Sequence, residues 1–211
     1  MTQSAIELRP QVDRQSVERR AKVLAHVGNG WHVVEFAIAL GAGVAAGSVA
    51  LVAFGIDSAI EALAGGVIVW LFTGGRGSSH AAERRAQQLI AASYALLVLY
   101  ILVAAVRDLA GAHHPATSWV GIGLAAFTAP TMPLLAAAKR RIGRRLGSAA
   151  AVSEAGQNMI CAYLSIALLV GLLANALAGW WWADPAAAFV IAAVAANEGA
   201  AAWRGDSCDC C

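Results

Sequence analysis

The chain has 211 residues, 59% of them hydrophobic and 13% charged, with a formal net charge of +2. A soluble domain carries about 25% charged residues, so this composition excludes an ordinary soluble domain and points to a polytopic membrane protein. Uncharged stretches of about 17 to 25 residues, long enough to cross a bilayer, recur along almost the whole chain.

Taken in order, residues 1–27 are polar and charged, and lack the apolar core and small-residue cleavage site of a signal peptide. They are expected to form a cytoplasmic amphipathic segment. Residues 28–205 are expected to form an all-α bundle of six membrane spans. The first covers 30–46 and breaks at Gly47-Ser48; the second follows at once over 49–72. A polar loop at 74–79 precedes the third span, 86–106, and the fourth covers 117–138. Pro130 and Pro133 each remove a backbone hydrogen bond from that fourth span, which predicts a kink. The fifth and sixth spans cover 149–173 and 181–202. The glycines of Gly41-Ala-Gly43-Val-Ala-Ala-Gly47 and Gly65-Gly66 are expected to let helix backbones approach closely. Such Gly- and Ala-rich faces are compatible with a homodimer.

Basic residues orient the spans. Arg9, Arg14, Arg19, Arg20 and Lys22 lie before the first span, and Arg76, Arg84 and Arg85 follow the second. Lys139, Arg140, Arg141, Arg144 and Arg145 follow the fourth, and Arg204 follows the sixth. Arg107 stands alone on the other side. A bias of fourteen to one predicts that both termini are cytoplasmic, in a plasma (inner) membrane. Trp180-Trp181-Trp182 is then expected at the outer interface.

Asp57 and Glu61 interrupt the second span four residues apart, on one helix face. An ionised carboxylate near the bilayer centre costs a few kcal/mol even on lenient scales. In the fifth span Glu154, Asn158, Cys161 and Ser165 follow one helical stripe. Two facing helices would therefore set Asp57 and Glu61 opposite Glu154 and Asn158, a cluster that repels itself unless protons or a divalent cation neutralise it. The competing reading is polar helix glue satisfied by Ser, Thr or backbone.

The run Ala46-Gly-Ser-Val-Ala-Leu-Val-Ala-Phe-Gly-Ile-Asp57-Ser-Ala-Ile-Glu61 resembles the first-to-second helix turn of cation diffusion facilitators, whose second helix carries an Asp or His and then an Asp four residues later. Ala183-Asp184-Pro185 resembles the start of that family's last helix, and Glu154-x-x-x-Asn158 falls where its fifth helix carries the other half of the metal site. The closest likeness is to the short branch of the family, which has the membrane part alone. This resemblance implies export of zinc or another divalent metal from the cytoplasm in exchange for protons, with Asp57, Glu61, Glu154 and Asn158 as metal ligands. The chain departs from the pattern at Glu61 and at Asn158, where the family has acids of other length or an acid in place of an amide. An all-oxygen set is harder than a mixed one, so manganese, iron and cobalt stand beside zinc.

Accessory ligands are sought at Glu35, one turn beyond His32, and at Cys161. His32 itself is expected to be interfacial, His113-His114 a solvated loop pair, and Asn197 and Glu198 water-facing. The tail, residues 206–211, holds Cys208, Cys210 and Cys211, either a metal-capturing segment or one without a role at the site. The expected partners are the lipid bilayer, metal ions and protons; no nucleic acid and no resident cofactor are expected. No Ser-His-Asp set, zincin pattern or nucleotide loop argues for an enzyme. The alternatives to transport are a metal-binding or regulatory membrane protein and a structural membrane subunit.

Overall fold

In the computed structural model, six α-helices follow one another: α1 (Gln3–Ala46), α2 (Val49–Phe72), α3 (His80–Ala110), α4 (Trp119–Leu146), α5 (Ala149–Ala178) and α6 (Ala183–Arg204). The structure describes the backbone of residues 3–72, 80–146 and 149–204, and side chains at 19–20, 23–63, 65–66, 84, 88–145 and 155–204. No strand occurs among the described residues.

Five stretches, 23–46, 88–110, 119–145, 155–178 and 183–204, are long and apolar enough to cross a membrane among the described residues. In their most apolar windows only 22–39% of residues are buried within the bundle. Leu96, Val103, Leu134, Val170 and Leu177 instead point outward. Apolar side chains on the outside suit a lipid solvent and would be a liability in water.

The helices are longer than the sequence reading allows. The first helix begins at Gln3 and has 44 residues. That is roughly 66 Å of helix, about twice the thickness of a bilayer core. The fourth runs without interruption through Pro130 and Pro133. In the same turn the Thr131 hydroxyl donates to the carbonyls of Phe127 and Thr128, at 2.7 and 3.2 Å.

Packing places α2 at the centre, against α1, α3, α5 and α6. Helices α4 and α5 form a close pair, as do α3 and α6, while α1 also packs on α4. Small residues set the approach of α1 to α2. A Cβ on Gly43 would lie 2.7 Å from the backbone nitrogen of Val52, whereas one on Gly41 would meet nothing within 4 Å. Of the expected packing glycines, Gly43 and Gly65 are at close contacts and Gly41 is not.

The α1–α2 connection is two residues, Gly47 and Ser48, and each has a distinct task. Gly47 takes a left-handed conformation (φ +66°), and the bonds Ser48 N to Gly43 O (3.0 Å) and Gly47 N to Val44 O (3.3 Å) close a Schellman turn. Ser48 then caps α2, its hydroxyl oxygen accepting from Leu51 N at 3.1 Å. That hydroxyl donates to Asp184 Oδ1, and Ala50 N donates to Asp184 Oδ2 at 3.3 Å. A carboxylate from the start of α6 thus sits at the positive end of α2. The turn at the end of α3 repeats the Schellman pattern with Ala112 (φ 46°) in the left-handed position.

Asp184→Ala is expected to lower the thermal unfolding midpoint of the detergent-solubilised protein, at a cost of about 1 to 3 kcal/mol, because Ser48 and the first turn of α2 lose a charged acceptor. Asp184→Asn keeps one carbonyl acceptor and should lose less. Equal midpoints for wild type and Asp184→Ala would mean that the contact adds nothing.

Candidate functional site

On α1, His32, Glu35, Ala39 and Gly43 are buried at successive helical intervals, so the imidazole and the carboxylate face inward together. On α2, Asp57, Ser58 and Glu61 are buried. On α5 the stripe Asn158, Cys161 and Ser165 is buried, as its spacing predicts. These three faces, joined by Thr128 and Lys139 of α4, form a polar interior within the apolar bundle.

Glu35 is the best satisfied of the acids. Thr128 Oγ1 donates to its Oε1 at 2.6 Å and Ser58 Oγ to its Oε2 at 2.9 Å. The Cys161 thiol donates to the same Oε2 at 3.7 Å. His32 Nδ1 lies 3.5 Å from Glu35 Oε2 and 3.1 Å from Glu61 Oε2. The latter contact is close but misaligned, so neither His32 Nδ1 nor Glu61 Oε2 gains a hydrogen bond. One ligand atom each from His32, Glu61 and Cys161 falls within 4.8 Å of the others.

Asp57 lies one turn before Glu61 and makes no hydrogen bond among the described residues. Its acidic neighbours include Glu35, Glu61 and Glu198. Glu198, expected to face water, is half-buried instead, because α6 packs against α2 and α3 and carries it toward the interior.

Lys139 is the largest departure from the sequence reading. It was expected in a basic loop, yet it is buried at 5% exposure. The cause is the length of α4: because the helix continues to Leu146, Met132, Ala136, Lys139 and Gly143 share its buried face, while Arg141, Arg144 and Arg145 stay exposed. Its ammonium donates to Asn158 Oδ1 at 2.9 Å and fits against Gly28, where a Cβ would lie 2.7 Å from Nζ. It is also a charged neighbour of Glu61.

Of the four expected ligands, Asp57 and Glu61 face the polar interior. Asn158 does too, but its oxygen accepts from Lys139 and its amide nitrogen meets Met132 Sδ at 3.1 Å. Glu154 belongs to α5, and its side chain lies outside the described residues. Cys208, Cys210 and Cys211 also lie outside them. Glu35 and Cys161, sought as accessories, sit in the middle of the cluster. His32, expected at the interface, is buried beside them, because α1 leans its polar face on α2 and α4. Of the outer pair, His113 is exposed over the Gly47 turn and His114 stacks on Trp181, with ring centroids 5.2 Å apart.

Sequence reasoning missed Lys139, Ser58 and Thr128. A signal existed for Lys139: it continues the seven-residue interval from Met132 on the face that holds the core. No family model matches this chain, and no curated protein matches its sequence.

Lys139→Met should destabilise the detergent-solubilised protein by about 1.5 to 3 kcal/mol, since Asn158 loses a charged donor. Lys139→Arg should not restore stability, because a planar fork does not fit the space of a compact ammonium against Gly28. A Lys139→Met protein as stable as wild type would mean that the buried ammonium is idle.

Proposed function

We propose that this protein is a membrane transporter that exports divalent metal cations from the cytoplasm, in exchange for protons. Zinc is the first substrate, with manganese, iron and cobalt beside it. One observation carries the reading: Glu35, Asp57 and Glu61 are all at most 6% exposed inside a bundle whose outer faces are apolar. Were Glu35, Asp57 and Glu61 all ionised, the ammonium of Lys139 would offset one of the three charges and leave two for a dication or for protons to offset. Buried charges of one sign are costly unless compensated. A dication balances those two charges, and protons balance them when the dication has left. Alternation between the two is metal–proton exchange, with Asp57, Glu61 and Glu154 as the groups that take up protons and rocking of the helices as the means of access.

The chain's resemblance to cation diffusion facilitators at 46–61, 154–158 and 183–185 supports the same reading. With α2 as a further crossing beside the five apolar helices, six passes bring both termini to one side, and the basic residues favour the cytoplasmic face of a plasma (inner) membrane. The bilayer, metal ions and protons are its partners on this reading, and a homodimer is compatible with its small-residue faces.

The test is flux in sealed proteoliposomes carrying a zinc-sensitive dye and a pH dye. Wild type should move zinc and drive protons the opposite way. Asp57→Ala, checked for intact insertion by size exclusion, should reduce both signals at least about a hundredfold, as expected for loss of about 3 kcal/mol of charge compensation. Zinc binding without pH-linked flux in wild type would instead indicate a metal-holding membrane protein. Normal flux by Asp57→Ala would remove Asp57 from the path.

A further inference from the structure

Three helices deliver different ligand atoms to one place: an imidazole from α1, a carboxylate from α2 and a thiol from α5. We propose that His32, Glu61 and Cys161 together bind the cation, and that this mixed nitrogen, oxygen and sulfur set selects a borderline-soft metal, zinc or cobalt, over manganese, magnesium and calcium. The inference deepens the transport reading and rests on it for the idea that the bound metal is cargo. The ligand set itself is independent of turnover.

Two separate observations support it. The first is the clustering, with ligand atoms within 4.8 Å of one another. A tetrahedral zinc site with bonds of about 2.0 to 2.3 Å has ligand–ligand edges of roughly 3.3 to 3.6 Å. The His32–Glu61 contact at 3.1 Å is already close to such an edge, and Cys161 Sγ lies within 4.8 Å of both atoms. The second is the hydrogen-bond ledger. His32 Nδ1 and Glu61 Oε2 are buried, 3.1 Å apart and without a hydrogen-bond partner. Buried polar groups are almost always paired, and a cation between these two would satisfy both lone pairs at once.

Glu35 lies beside the set rather than behind the imidazole, since it is Nδ1, the proposed ligand nitrogen, that stands 3.5 Å from its Oε2. Its Oε2 touches His32 and Cys161, while Thr128 and Ser58 hold it from behind. A thiol must lose its proton to bind metal, and Glu35 Oε2 already accepts from the Cys161 S–H. From there the proton leaves to water along the path by which the metal arrives. Asn158 is left out of the set, because Lys139 occupies its oxygen. The selectivity follows from donor type: magnesium, calcium and manganese favour oxygen alone, whereas thiolate and imidazole favour zinc and cobalt.

The test uses the full chain with Cys208, Cys210 and Cys211 changed to Ser, which leaves Cys161 as its only thiol. In lipid nanodiscs, addition of Co2+ should produce a near-ultraviolet sulfur-to-cobalt charge-transfer band that one equivalent of Zn2+ removes and excess Mn2+ does not. Zinc X-ray absorption of the same protein should require one sulfur at about 2.3 Å. Adding Cys161→Ser should abolish the band, and His32→Gln should weaken Zn2+ binding by at least about tenfold, the range in which even outer partners of a ligand register. The absorption measurement needs no change at the site, so a variant that fails to fold does not decide the matter. Zinc held by oxygen and nitrogen alone, or no metal bound, overturns this ligand set even where flux persists. A sulfur-bound metal in a chain without flux upholds the set and overturns transport.

Discussion

Electroneutrality inside a low-dielectric bundle is the constraint on which this structure depends. Water can screen a carboxylate at a protein surface, but a packed interior between apolar helices cannot. Glu35, Asp57 and Glu61 are nevertheless there, within reach of hydroxyls, a histidine, a thiol and one lysine. Hydroxyl donors lower the cost for Glu35, since Thr128 and Ser58 aim their protons at its two oxygens. They do nothing for the mutual repulsion that three neighbouring acids would have if ionised. His32 Nδ1 and Glu61 Oε2, 3.1 Å apart yet without a hydrogen bond in this geometry, are a poor structural adhesive.

The fold serves that interior by keeping α2 surrounded. Gly43 lets α1 approach α2 at backbone contact, and the two-residue turn at Gly47-Ser48 fixes how the helices leave one another. Asp184 then ties the start of α2 to α6 through the same serine that caps the helix. The polar residues of α1, α2 and α5 reach one interior because α2 packs against both of the other helices. Lys139 works from the opposite side. It brings a fixed positive charge to Asn158 and to the neighbourhood of Glu61.

Much of this was legible in the sequence, for physical reasons. The helices and most of their breaks follow from apolar run length and from Gly47-Ser48 and Gly179, whose glycines take the left-handed conformation that ends a helix. Asp57 and Glu61 stand out because a bilayer makes acids conspicuous, and the Asn158–Cys161–Ser165 stripe follows from the helical period. What could not be read was which face of each helix meets which neighbour. His32 lies near the start of its apolar run, where an interfacial position is as reasonable as a buried one, and only the packing of α1 on α2 and α4 decides between them. Lys139 opens a run of basic residues that reads as a loop until α4 is seen to continue through it. The difference matters chemically. His32 and Cys161, beside Glu61, add nitrogen and sulfur donors to the oxygens expected from Asp57, Glu61, Glu154 and Asn158.

The most direct measurement is anomalous scattering at the zinc edge from crystals grown in lipid and soaked in zinc, since it reports element and position together. The account predicts one strong peak within the bundle, between the side chains of His32, Glu61 and Cys161. Peaks confined to the surface, or an interior left without metal at saturating zinc, would contradict it.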